Sequence, residues 1–165
     1  MKKKSKKLLL MGFITIATIL LSVIGTKNVS ASVNIIDNDN SGTPGWNSST
    51  GTWYYNSASY CYMGDFRIAY TGGNQYVWNL NSSYANFHVE SLQAYLNHAA
   101  FKDPSAVYYV GSYTLGYINK NLAPGGWNTV SQTTLNATGS VRSGVRASSN
   151  IGTGADGMTI HWWWL

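Results

Sequence analysis

The sequence predicts an all-β protein, a single jelly-roll-like β-sandwich of about eight strands that follows a cleaved N-terminal leader. Three observations predict it. Short runs of β-branched and aromatic residues alternate with turns of Gly, Asn and Ser, at a spacing of about 10 residues. Charged residues make up 10% of the chain and aromatic residues 14%. The single cysteine, Cys61, has no disulfide partner in the chain, so the core must stabilise the domain.

The first 31 residues form the predicted leader. Five lysines within residues 2–7 precede an apolar run at residues 8–24, and Val29-Ser30-Ala31 offers small residues for cleavage after Ala31. This order is typical of a secretory signal peptide. The alternative is an uncleaved membrane anchor, because the apolar run is only slightly shorter than a span of about 20 residues. The cleavage site and the strand-like sequence after it favour removal, so we expect a secreted protein, free or on the cell wall.

Removal of the leader changes the charge of the protein. The full chain has a formal net charge of +5, but residues 32–165 keep five basic side chains against six acidic ones. Such a balance predicts no basic patch for nucleic acid or for an anionic membrane. We therefore expect residues 32–165 to form one domain, a monomer that does not bind nucleic acid and does not insert into membranes.

The predicted strands begin directly after the leader. The first, residues 33–36, ends in a polar loop of Asp, Asn, Ser and Gly, and residues 47–56 are predicted as a polar turn interrupted by aromatic residues. The strands that follow are predicted at residues 60–70 (broken at Gly64), 75–80, 86–96, 107–110, 113–118, 127–135, 140–147 and 158–165.

Two of these segments need comment. Residues 86–96 also fit a helical stripe, but we favour a long strand because strands flank it and nothing caps a helix. The last strand alternates between two faces. One face carries Met158, Ile160, Trp162 and Trp164, and the other carries Thr159, His161 and Trp163.

Four segments occur in an order and spacing that resemble a known family over essentially all of residues 32–165. They are IIDNDNSG (35–42), YCYMGDFRIAY (60–70), GGWNTV (125–130) and ADGMTIHW (155–162). Together they resemble the golvesin C-terminal-like domain, also described as the carbohydrate-binding-like domain of xanthan lyase. The resemblance implies a β-sandwich that is usually appended to larger secreted enzymes and surface proteins. Because the ligands of that family are poorly defined, it assigns no binding residue here.

No motif in the sequence marks an enzyme. Glycoside hydrolysis needs two carboxylates across a cleft, and the spacing of the six acidic residues does not place any two of them so. A nucleophile elbow, a zinc motif and a phosphate loop are absent from the sequence. We predict no catalytic residues.

The polar loop after the first strand has two interpretations. Asp37 and Asp39 alternate with asparagines before Gly42, as in the first half of a calcium loop, but Ser48 stands where that loop needs its last acidic ligand. A turn that caps its own backbone explains the same residues without a metal. We favour the turn and predict no cofactor, with Asp37 and Asp39 as the candidates if calcium binds.

Aromatic residues are more numerous than one core needs, 22 of the 134 residues after the leader. Aromatic rings can stack on sugars while their polar edges stay in water. The alternative is a core role, since residues such as Tyr76 and Trp78 alternate as buried positions do. The predicted ligand-binding aromatics, all on or beside loops, are Trp46, Trp53, Tyr54, Tyr55 and Tyr62.

Two functions fit these observations. The first is a non-catalytic module that binds a carbohydrate, the cell wall or another extracellular polymer. The second is an interaction or antagonistic protein that acts on membranes or other cells through a Trp-rich surface. Residues 162–164 favour the second function because tryptophan suits lipid interfaces, although the tail lacks basic residues.

Overall fold

The computed structural model describes residues 31–39, 45–80, 87–131, 135–137 and 141–164. The predicted all-β sandwich is confirmed. The described residues form thirteen strands rather than about eight, together with one short 3-10 turn at Tyr62–Gly64. Residues 1–30 lie outside the described residues, so the leader and its cleavage stay a prediction. In the described part of the chain, no helix has the length and apolar character needed to cross a bilayer.

In chain order the strands are β1 (Ala31–Ile36), β2 (Gly45–Thr50), β3 (Tyr54–Ser57), β4 (Asp65–Ala69), β5 (Gln75–Leu80), β6 (Phe87–Leu96), β7 (Ala106–Val110), β8 (Tyr113–Ile118), β9 (Gly126–Ser131), β10 (Leu135–Ala137), β11 (Arg142–Arg146), β12 (Thr153–Ala155) and β13 (Met158–Trp164). They form three antiparallel sheets. Sheet A has the order β1-β13-β6, and β9 and β10 both pair with the other edge of β6. Sheet B has the order β2-β5-β11-β7-β8, and the small sheet C has the order β12-β4-β3.

The hydrophobic core joins the inward faces of the three sheets in one cluster. Alternate residues of each strand point inward, as the pleat of a sheet requires. The largest fully buried side chains are Trp78 and Tyr108 from sheet B and Trp162 from sheet A. The two tryptophans among them also donate a hydrogen bond through the indole N–H, as buried tryptophans usually do. Trp78 Nε1 donates to the Asp156 carbonyl at 3.1 Å, and Trp162 Nε1 donates to Asn34 Oδ1 at 2.6 Å.

The polar turn predicted at residues 47–56 is wrong for most of its length. This stretch holds the C-terminal part of β2 and most of β3, which pair with β5 and β4. Both strands lie at the edge of a sheet, and nearly all their side chains are exposed. An edge strand forms backbone hydrogen bonds on one side only, and an exposed one needs no apolar face. Its sequence can therefore be as polar as that of a turn, which is why the sequence predicts a turn here.

The long strand favoured for residues 86–96 is confirmed as β6. Its pairing with β13 shifts by one residue between Val89 and Ser91, because Glu90 has no opposite partner. A bulge of this kind changes which alternate side chains point inward. Val89, Leu92 and Leu96 are all buried for that reason, at a spacing that also fits a helix.

The last strand has the inner face that its sequence predicts. Met158, Ile160 and Trp162 are buried, as predicted. On the predicted outer face His161 and Trp163 are half-buried, but Thr159 is buried as well, at 4% exposed. The side chain of Trp164 lies outside the described residues. The Trp-rich end of the chain is therefore at least partly a core element, because Trp162 is only 2% exposed.

Candidate functional site

A polar hollow of about 380 Å³ opens between the end of β1, the edge strand β2 and sheet C. We call it the polar hollow. Its rim offers exposed oxygen atoms from Asp39, Ser48 and Ser49, and its charged groups have both signs, Asp39 and Arg67. The full lining is Asn38, Asp39, Asn47, Ser48, Ser49, Trp53, Arg67 and Tyr76.

Hydrogen bonds from two strands of sheet B fix the loop that forms one wall. The Tyr76 hydroxyl donates to the Asn38 carbonyl, and Asn47 Nδ2 donates to the Asp37 carbonyl at 2.6 Å. Both carbonyls belong to the turn that follows β1. The turn is thereby held against β5 and β2, so the wall is an ordered part of the sandwich rather than a free loop.

The opposite wall is aromatic. Trp53 packs edge-to-face on Tyr76, with 5.1 Å between ring centroids, and its Nε1 donates to the Thr50 carbonyl at 3.2 Å. Both contacts hold the half-buried indole in place at the hollow. Arg67, on β4, also lines the hollow, and its guanidinium lies 4.8 Å from the centroid of the Tyr55 ring. The hollow therefore combines a fixed aromatic surface with hydrogen-bond donors and acceptors.

Three carboxylates meet beside the polar hollow, and we call them the acidic cluster. One oxygen each from Asp37, Asp39 and Asp65 lies within 4.8 Å of the others, and Asp37 and Asp65 are buried. The Asn38 side-chain amide donates to Asp65 Oδ1 at 2.5 Å and to Asp37 Oδ1 at 3.4 Å. The Asn38 backbone N–H also donates to Asp37 Oδ1, at 2.8 Å. The cluster thus has donors of its own, in line with a self-capped turn, although three carboxylates are also a set that calcium accepts.

Burial raises the pKa of Asp37 to about 7, because the charged form loses its hydration. The Asn38 backbone N–H opposes this shift, and the nearby Asp39 and Asp65 charges add to it. Burial likewise raises the pKa of Asp156 to about 7, against a hydrogen bond from the Tyr62 N–H. Both carboxyls therefore titrate close to neutral pH.

The five predicted ligand-binding aromatics do not lie on one surface. Trp53 lines the polar hollow, and Tyr55 joins it only through its stacking with Arg67. Tyr54 is exposed on β3 and lies beside Tyr70, with 6.1 Å between centroids. The other two predicted aromatics do not line the hollow.

Tyr62 is half-buried in an aromatic group with Tyr95 and Trp127, at centroid distances of 5.8 and 5.3 Å. Trp46 is 41% exposed and points away from the core on β2.

Of the two candidate metal ligands, Asp37 is buried in the acidic cluster and Asp39 is exposed at its edge. Sequence reasoning missed Arg67 and Asp65, which only the pairing of β4 brings to this place.

A second hollow, of about 410 Å³, lies between Tyr60, His98 and the loop around Asn121. Its polar groups already hold the surrounding loops together. Asn97 Nδ2 donates to the Tyr60 carbonyl at 2.7 Å, Asn121 Nδ2 to the Lys102 carbonyl at 3.0 Å, and the Ala100 N–H to His98 Nδ1 at 3.0 Å. We therefore regard this hollow as framework and the polar hollow as the candidate site.

Lys120, which also lines the second hollow, is part of a buried polar network. Its Nζ donates to the Gly154 carbonyl, and burial lowers its pKa to about 7. Asp103 opposes that shift; its own carboxylate accepts hydrogen bonds from Ser148 and Thr153, and these keep the pKa of Asp103 low against the effect of burial. The network joins the loops before β7, after β8 and before β12.

Fold and site together define a β-sandwich module with a polar and aromatic hollow at one sheet edge. No protein-family model matches the chain, and no curated protein matches it significantly. Several solved structures share the fold, among them the following two. A Paenibacillus xanthan lyase matches with a TM-score of 0.61 and 16% identity, over 78% of this chain and 13% of that one. The CBM35 module of Cellvibrio japonicus Abf62 matches with a TM-score of 0.52 and 14% identity, over 78% of this chain and 92% of that one.

The likeness is one of fold, a β-sandwich. The match covers only a small part of the xanthan lyase but nearly the whole of the CBM35 module.

Proposed function

We propose that this protein is a secreted, non-catalytic module that binds a carbohydrate or another extracellular polymer in the polar hollow. One observation carries the proposal: a fixed indole, Trp53, stands beside charged and hydroxyl groups in a hollow of about 380 Å³. Pockets for small ligands begin at about this size and combine an aromatic surface with a few polar groups.

The lining matches the chemistry of a sugar. Each sugar hydroxyl donates and accepts, and the hollow supplies an acceptor in Asp39, a donor in Arg67, and groups that do both in Ser48 and Ser49. The C–H face of a sugar ring can stack on the Trp53 indole. Such a site selects for a ring that is polar at its edge and apolar on its face.

The same lining supports binding without hydrolysis. Among the described residues, Asp39 is the one carboxylate that lines the polar hollow, whereas glycoside hydrolysis needs two that face each other across the substrate. Asp37 and Asp65 are buried behind it, and Asn38 donates hydrogen bonds to both. We propose further that the hollow needs no cofactor, since the Asn38 amide already supplies donors to the acidic cluster.

The extracellular location and the finer family belong to the same proposal. The predicted signal peptide supports secretion, and N-terminal sequencing that begins at Ser32 is the expected result; retention of residues 1–31 would contradict it. Membership of the golvesin C-terminal-like family is supported by the four ordered motifs and by the shared fold of the xanthan lyase structure.

The test is a pull-down of the purified protein with insoluble neutral polysaccharides, cell walls and liposomes. We expect it to sediment with a polysaccharide or with cell walls. Asp39→Asn and Arg67→Gln should each weaken that binding about tenfold, because a hydrogen bond to a charged group contributes about 1.5 kcal/mol or more. Glu90→Gln is the matched control, since Glu90 is an exposed carboxylate on β6.

Binding that is unchanged in both hollow variants would place the site elsewhere. Sedimentation with liposomes alone would favour the membrane-directed function instead. The burial of Trp162 already removes one of the side chains that favoured that second function.

A further inference from the structure

The strands of sheet B carry charge of one sign only. They contain no aspartate or glutamate, and their only basic residues are Arg142 and Arg146. Both lie on β11, the central strand of the sheet, and both are exposed. They are four positions apart in the strand, so they share one face with about 13 Å between their Cα atoms.

A tyrosine ring lies between the two arginines. At Gly144, halfway between them, an added Cβ atom would come within 2.4 Å of Tyr109 Cζ, so the ring of Tyr109 crosses the central strand there. Its hydroxyl donates to Gln75 Oε1 at 2.9 Å on the far side of that strand. Burial raises the pKa of Tyr109, and the charges of Arg142 and Arg146 oppose that shift.

Two more aromatic residues extend this arrangement across the sheet. Trp46 lies in the same row as Arg142, on the edge strand β2, and Tyr117 lies in the same row as Arg146, on the opposite edge strand β8. Both are exposed. Trp46, Tyr109 and Tyr117 thus mark a diagonal across the sheet, which is about 19 Å wide over four strand spacings.

We propose that this outward face of sheet B binds a linear polysaccharide that carries carboxylate groups. The aromatic diagonal provides stacking surfaces for successive sugar rings, and the two guanidiniums on either side provide planar donors for carboxylates. A shallow hollow of about 240 Å³ beside Tyr109 and Arg146 is large enough to bind one carboxylate or hydroxyl of the polymer.

The face suits such a polymer better than it suits an anionic membrane. Membrane-surface binding needs exposed apolar side chains that enter the lipid, as well as several basic ones. The aliphatic residues that point outward here, Val77 and Val107, are 8% and 7% exposed. Exposed Trp and Tyr rings suit a lipid interface as well as a sugar ring, so it is the burial of both valines and the presence of only two basic residues on these strands that favour the polymer.

This site shares none of its arginines or aromatic rings with the polar hollow. The inference therefore goes beyond the proposed function, and each can fail while the other stands.

The test is the affinity of the purified protein for polygalacturonate at low salt, with the methyl-esterified polymer as the uncharged comparison. We expect Arg142→Gln and Arg146→Gln to weaken binding about fivefold each, the effect of losing one exposed ion pair. Binding should also weaken as salt is added. Lys102→Gln removes one exposed positive charge outside this sheet and should change the affinity less than twofold.

Four results would overturn the proposal. They are equal binding of the esterified polymer, equal losses in Lys102→Gln and the arginine variants, unchanged binding in both arginine variants, and binding to phosphatidylglycerol vesicles without binding to polygalacturonate. If Arg67→Gln lost affinity for polygalacturonate and the Arg142 and Arg146 variants did not, the acidic polymer would bind in the polar hollow. The proposed function would then stand and this inference would fall.

Discussion

Tyr109 and Gly144 fit against each other on the outward face of sheet B: the tyrosine ring occupies the space that any side chain at position 144 would need. The glycine is on the central strand and the tyrosine on its neighbour β7, directly opposite in register. The absence of a side chain at one position therefore sets the orientation of the ring at the other.

Gly144→Ala should move the Tyr109 ring off the central strand. Because the contact involves the outer end of a half-buried side chain, the ring can rotate away, and the main loss is its hydrogen bond to Gln75. We expect a cost of about 1 kcal/mol in the free energy of unfolding. Affinity for polygalacturonate should fall to that of Tyr109→Ala.

Gly116→Ala is the control for this prediction. Gly116 is also in a strand of sheet B, and a Cβ there would meet only the Val130 carbonyl, at an ordinary 3.5 Å. Denaturation curves and affinities of the three variants give the comparison. Polymer binding in Gly144→Ala that matches the unmodified protein would show that the ring orientation does not matter.

Trp162 and Trp163 should differ strongly when each is replaced by alanine. Trp162 is 2% exposed and bonds to Asn34, so its loss leaves a large cavity and should cost about 3–5 kcal/mol. Trp163 is half-buried and stacks on His88 at 4.2 Å, so its loss should cost about 1 kcal/mol. Thermal and urea denaturation of the two variants tests this, and equal destabilisation would mean that both faces of β13 are covered.

How much the sequence predicts depends on how local the signal is. The alternation of Met158, Ile160 and Trp162 is local, and the structure agrees with it. The bulge at Glu90 is set by pairing with β13, so the spacing of Val89 and Leu92 alone fits a helix and a strand equally well. Polar edge strands such as β3 carry no apolar pattern, and only their partners reveal them.

The sites show the same limit more sharply. Asp37 and Asp65 are 28 residues apart in sequence, and Arg142 and Tyr109 are 33 apart. Neither pair has a sequence signal, because each depends on which strands are neighbours and in what register. Sequence reasoning could place Trp53 and Asp39 near loops, but not in one hollow with Arg67.

Calcium should leave the melting temperature unchanged. A cation bound by the acidic cluster would have to displace the Asn38 amide, which donates to both Asp65 and Asp37. The measurement compares melting in excess calcium with melting in EDTA at neutral pH. A stabilisation by calcium that disappears in Asp65→Asn but persists in Glu90→Gln would instead make the cluster a metal site.

The metal-free protein should be least stable near pH 7. Asp37 and Asp156 have pKa values of about 7 in the folded chain, against 3.8 for an ordinary aspartate. Between those values the folded chain holds protons that the unfolded chain has released, so stability falls as pH rises from about 4 to 7. His98, whose pKa burial lowers, acts in the opposite direction, but two carboxyls outweigh one imidazole.

Above pH 7 the sign reverses because of Lys120. Its pKa falls from 10.5 to about 7 on folding, so the unfolded chain holds the extra proton between these values and stability rises with pH. Urea denaturation in EDTA from about pH 4 to 9.5 should show the minimum. Asp156→Asn should roughly halve the acidic slope, since Asp37 remains, and Lys120→Met should remove the rise on the alkaline side. A profile with no minimum, or variants that shift the whole curve without changing either slope, would show that these buried groups do not titrate as their surroundings indicate.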